Sequence, residues 1–225
     1  MAVTSVSQAR TVLGDDVLGA EALANVLGQV SAAELRTEIP FTSAALAAAR
    51  KSGMMLVLRL AQADDRVPLT IVQMLQRFPQ AFDQKLLRQM GYQLKDEWGI
   101  ALEPLAATET CTPGWALVRK DVLEDSCNLS YDEQDTAIRN YAAMLGDAAV
   151  RRRTAVEAVY DTLLYFEARK IRLLERSWDW SSSATLDGGY LNVGGFASAG
   201  MQVLSYSRAV RHGQLGVCPT CQPIK

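Results

Sequence analysis

The sequence predicts an α+β fold, a helical body with a small antiparallel β-element at its C-terminus. Three observations predict it. Apolar residues recur at helical spacing through much of residues 1–176. From Trp178 onward that spacing gives way to Gly, Ser and two-residue alternation. Two short apolar runs, Met54 to Leu60 and Trp115 to Val118, lie between turn residues, as buried strands do. A 225-residue chain hides about 70% of its unfolded surface, whereas residues 178–225 form no core alone. One compact domain over residues 1–225 is therefore expected. It has a helical region at 1–52, a mixed, mainly helical region at 53–177 and the antiparallel β-element at 178–225.

In residues 1–52, Val17, Leu18, Leu23, Val26 and Leu27 fall on a helical face. Ser31-Ala32-Ala33-Glu34 reads as a capping box. Thr42 or Ser43 caps the Ala-rich stretch to Arg50, and Gly53 closes it. After the Met54 strand, Pro68 suits the first turn of a helix facing Ile71, Val72 and Leu75 inward, and Pro79 bars its continuation. A further helix spans about Asp83 to Trp98. Ser130-Tyr131-Asp132-Glu133 is a second capping box, followed by Ile138, Tyr141 and Leu145, with Gly146 as the stop and Asp147 as the next cap. The longest helix runs from Ala148 to about Arg176, its Arg151-Arg152-Arg153 run on a solvated face. Strands follow at Tyr190–Val193, Met201–Tyr206 and Leu215–Val217.

Lys and Arg number 23 and Asp and Glu 25, a net charge of −2. Nucleic acid is not the expected partner, because phosphate binding needs a basic surplus. A single His excludes sites built from several histidines. No phosphate loop or nucleophile elbow appears, and Gly188-Gly189 and Gly194-Gly195 have no helix after them to hold an anion. The chain therefore reads as a non-enzyme with no cofactor. No apolar run spans a bilayer and no signal peptide opens the chain, so a cytoplasmic protein without membrane insertion is expected.

Cys218-Pro219-Thr220-Cys221 is a CxxC, which with Cys111 and Cys127 would make a four-cysteine zinc site. Ordinary reduced thiols are the favoured reading. Asp64-Asp65 reads as a solvated acidic turn. Trp178 and Trp180 are expected to pack against the long helix.

The C-terminal stretch is the most distinctive. Trp178-Asp179-Trp180-Ser181-Ser182-Ser183, Gly189-Tyr190-Leu191-Asn192-Val193, Gly200-Met201-Gln202-Val203 and Gln214-Leu215-Gly216-Val217-Cys218 resemble the closing hairpins of C-type-lectin-like folds. Within them the stretch is similar to the variable proteins of diversity-generating retroelements. The resemblance implies a lectin-like β-element whose loops bind a ligand. Adenine-directed diversification of AAY codons cannot produce Lys, Glu, Gln, Met or Trp. Residues 203–213 contain none of the five, where composition predicts about two.

The residues themselves suit recognition, since Tyr supplies contact area at small rotamer cost and Arg supplies forked donors. Tyr190, Asn192, Ser205, Tyr206, Ser207, Arg208, Arg211 and His212 are the expected contact surface, for a protein or other macromolecule. The alternative is a helical scaffold that self-associates under a structural β-cap.

Overall fold

Residues 4–28, 38–63, 66–83, 100, 103–145 and 149–222 are described by the computed structural model. The Ser31–Glu34 capping box, Asp64-Asp65, the 83–98 helix beyond Asp83, Gly146 and Asp147 lie outside them.

The architecture is α+β, but strands run through the whole chain. This corrects the expected helical body with a small C-terminal β-element. The first cause is the five-stranded sheet. Its centre is β4 (Met54–Arg59) paired antiparallel with β5 (Gly114–Arg119), the two strands read from the apolar runs. Val17 and Leu18, expected on a helix, form β2 and pair in parallel with Leu56 and Val57 of β4. Val150–Arg151 forms β6 at the far edge. Between β5 and β6 lies β11, Thr220–Cys221, with Thr220 opposite Val118 and Arg151. A two-stranded sheet joins β1 (Thr4–Ser5) to β3 (Glu38–Ile39).

The second, four-stranded sheet has the order β10-β7-β8-β9: Leu215–Gly216, Trp178–Ala184, Tyr190–Ala197 and Gly200–Tyr206. Its three long strands are antiparallel, whereas β10 joins β7 in parallel. Gly200, at φ +115°, abuts the backbone of Phe82 and Asp83, where a Cβ would sit 2.3 Å from the Phe82 carbonyl carbon. Glycine is the residue that allows this approach, and the Asp83 N–H donates to the Met201 carbonyl at 3.0 Å.

Among the described residues there are seven α-helices: α1 (Val6–Leu13), α2 (Ala20–Leu27), α3 (Ser43–Lys51), α4 (Ile71–Arg77), α5 (Pro104–Thr108), α6 (Gln134–Leu145) and α7 (Ala155–Arg169). Thr42 caps α3 as expected. Pro68 does not open α4; Thr70 caps it, its hydroxyl accepting from the Gln73 N–H, and Pro68 bridges to Gln62. Ile71 is buried, while Val72 and Leu75 are only partly so.

Helix α7 decides how the sheets meet. Thr154 and Glu157 form a reciprocal capping box at its start, and Lys170 in the left-handed region ends it, six residues before the expected Arg176. It packs against β2 and β4 on one side and β7 and β8 on the other. Every residue from Ala155 to Tyr165 is consequently buried. A helix enclosed on both sides has no solvated face over these residues, so Arg152 and Arg153 just before it go inward with it. One hydrophobic cluster joins both sheets, from Ala9 to Cys221. No described helix is long and apolar enough to cross a membrane.

Candidate functional site

Three regions carry the polar chemistry: an ion network at the centre, an aromatic face on the outer sheet, and a cleft between them.

The network begins at Arg59, the one charge in β4 and wholly buried. Its guanidinium grips Asp161 through Nε and Nη2 at 3.0 and 2.6 Å, and donates to Glu157 at 2.8 Å and to the Thr220 hydroxyl at 3.2 Å. Arg153 donates to Asp179 at 2.8 Å and to Asp161 at 3.2 Å. The second oxygen of Asp179 accepts the Cys218 N–H at 2.7 Å. Arg151 lies bidentate on Glu157, both bonds 2.7 Å. Arg59, Arg151 and Arg153 thus balance Glu157, Asp161 and Asp179. The expected solvated arginine run is therefore overturned: Arg152 and Arg153 are 6% and 1% exposed.

Such a network persists only when each buried charge is paired and hydrogen-bonded. Burial alone would raise the Glu157 carboxyl, but hydrogen bonds from Arg151 and the charges of Arg59 and Arg151 hold it at about 2. Burial wins at Asp179, whose carboxyl is raised despite Arg153 and the Cys218 N–H.

The CxxC belongs to this interior. Cys218 and Cys221 are buried, as is Cys111, and no disulfide joins any of the four cysteines. Among the described residues no three His, Cys, Asp or Glu side chains group as a metal site, so the zinc reading with Cys111, Cys127, Cys218 and Cys221 has no cluster to rest on. Burial raises the thiols of Cys111 and Cys218 well above their ordinary value and that of Cys127 less steeply. Thiols held protonated in this way are poor ligands and nucleophiles.

The aromatic face is organised by Tyr131, which the sequence reading placed only within a capping box. Glu133 does accept from the Ser130 N–H and hydroxyl, at 2.8 and 2.7 Å, and this turn delivers Tyr131 to the sheet. Its ring stacks on Tyr190 at 4.1 Å and meets the edge of Trp180 at 5.3 Å, with the Arg152 guanidinium 4.0 Å from its centroid. Trp180 is buried against Tyr131 and Leu215, not against the long helix; Trp178, Tyr206 and Val210 complete the cluster.

The expected contact residues divide over this face. Ser207, Arg208, Arg211 and His212 are exposed, and Tyr190, Ser205 and Tyr206 half-buried. Asn192 is wholly buried and leaves the contact surface. It stands opposite Trp180 in the sheet. Among the described residues, neither its amide nor the Trp178 and Trp180 indole N–H groups have a hydrogen-bond partner. Arg208 pairs with Asp132, and Arg211 with Glu133 at 2.6 Å. The loop backbone is tied down as well: Tyr131 N–H donates to the Arg208 carbonyl and Asn128 N–H to the His212 carbonyl, both at 3.0 Å.

The cleft, about 800 Å³, opens beside the network. Glu109, Thr110 and Thr112 form one wall and Asp135, Ile138 and Arg139 of α6 another; Tyr131, Arg151, Arg152, Thr154, Glu157 and Ser182 close it. Arg152 donates here to the Gln134 side chain at 2.9 Å and to Asp135 at 3.0 Å. The sequence offered two unused signals of this region. Arg59 interrupts an apolar strand, and Glu157 and Asp161 stand four apart in an otherwise largely apolar helix. Charges so placed need buried partners.

No protein-family model, curated protein or solved structure matches the chain.

Proposed function

We propose that this chain is a non-enzymatic recognition protein that binds another protein through Tyr190, Ser205, Tyr206, Ser207, Arg208, Arg211 and His212. One observation carries the reading. Exposed arginines and a histidine occupy the loop that follows half-buried Tyr206 of β9, Arg208 lies over the Tyr190 ring of β8 at 5.5 Å, and backbone hydrogen bonds fix that loop to the Tyr131 turn. Tyr and Arg anchors on a stiff support lose little entropy on binding. Variation of the kind retroelements produce fits residues 205–213 better than Val203, which is 4% exposed in the core. Four cysteines without a disulfide suit a reducing, cytoplasmic setting.

The test is selection of a phage-displayed peptide library on the full chain, followed by binding to Y206A/R208A/H212A. The expected result is peptides that lose at least about tenfold in affinity on the variant, while the variant keeps its melting temperature. Peptides that bind both proteins alike, a library that yields none, or a variant that unfolds would each overturn the reading.

A further inference from the structure

The polar groups of the cleft fall into two sets. The first is engaged by the protein itself. Arg152 uses all three guanidinium nitrogens on Gln134, Asp135, the Tyr131 carbonyl and the Trp180 carbonyl. Glu157 takes Arg59, Arg151 and the Thr154 N–H. The second set is uncommitted. Among the described residues, Arg139 meets the Thr136 hydroxyl at 2.8 Å and no carboxylate, and the Glu109 carboxylate meets no cation. Glu109 and Arg139 are both exposed at the cleft mouth, and partial burial raises the Glu109 carboxyl. The hydroxyls of Thr110 and Thr112 likewise have no side-chain hydrogen bond among the described residues.

The cleft therefore presents one uncompensated cation and one uncompensated carboxylate, with Ile138 beside Arg139 as apolar surface. A simple anion would satisfy Arg139 and be repelled by Glu109; a simple cation would meet the reverse. A volume of about 800 Å³ lies within the range of small-molecule sites. We propose that this cleft binds a small zwitterion of the α-amino-acid class, its carboxylate on Arg139 and its ammonium on Glu109. The site shares no residue with the recognition surface proposed above and stands or falls separately from it.

Thermal unfolding of the full chain with each standard L-amino acid at about 10 mM tests the proposal. A ligand at about a hundredfold excess over its Kd raises the melting temperature by about 5 °C or more. The expected result is such a rise with at least one amino acid, lost when its amine is acetylated or its carboxylate amidated. Glu109→Gln and Arg139→Gln should each abolish the rise without moving the unliganded melting temperature. No rise with any amino acid, an equal rise with the blocked analogues, or a rise that survives both substitutions would overturn it.

Discussion

The inner arginines 152 and 153 and the outer arginines 208 and 211 are the same residue type, each within reach of carboxylates, yet they do different work. Arg153 holds Asp161 and Asp179 at 1% exposure, so its loss would leave Asp179 buried without a cation and Asp161 with Arg59 alone. Arg208 and Arg211 pair with Asp132 and Glu133 while about half exposed, and water can replace either partner. The difference teaches that an ion pair is structural when its desolvation cannot be undone, and available for other partners when it can.

The largest expected effect removes the inner region's context. Truncation at Arg176 deletes Asp179, Thr220 and β11, and should leave no cooperative unfolding transition by circular dichroism. A truncated chain that still melts cooperatively would show that residues 1–176 stand without the four-stranded sheet and β11. Arg153→Met, which breaks the network and keeps most of the volume, should cost about 3–5 kcal/mol. That is a fall in melting temperature of about 10 °C.

The inner network also sets the acid limb. The Glu157 carboxyl sits at about 2 in the folded chain against 4.5 ordinarily. A depressed carboxyl contributes stability that is present above the unfolded value and lost as pH falls from 4.5 through about 2. Asp179 carries the opposite sign, because its raised carboxyl favours the folded state most at low pH and less as pH rises. Denaturant midpoints at stepped pH should therefore fall across the Glu157 window, and Glu157→Gln should flatten that fall.

Smaller effects belong to the outer sheet. Asn192→Val removes a buried amide that has no hydrogen-bond partner among the described residues and adds a strand-favouring side chain. It should raise the melting temperature by a few degrees in a thermal scan, and a fall would mean that the amide is satisfied. The smallest effect is expected from Arg208→Ser with Arg211→Ser, whose melting curve should overlay that of the parent. A drop comparable to that of Arg153→Met would erase the distinction between the two regions.

Local signals were legible where local physics sufficed. The Met54 and Trp115 runs are strands, because a continuous apolar stretch between turns fits a sheet buried on both faces. The C-terminal alternation gave β8 and β9. What misled was Val17-Leu18, whose apolar pair fits a helix face as well as a strand, until Leu56 and Val57 supply a hydrogen-bonding edge. The polar character of residues 205–214 was legible, but Asn192 was misassigned to the surface, since nothing local distinguishes an amide under Trp180 from one in water.

The amino-acid sequence by itself determined the central strands β4 and β5, the Thr42 cap of α3 and the C-terminal alternation of β8 and β9. All of these follow from interactions among residues a few positions apart. Tertiary structure alone decided that Arg153 is buried and Arg208 is not, that β11 enters the first sheet, and that Tyr131 seals the second. These depend on which surfaces lose their water when distant segments meet, and a short window of sequence carries no record of that.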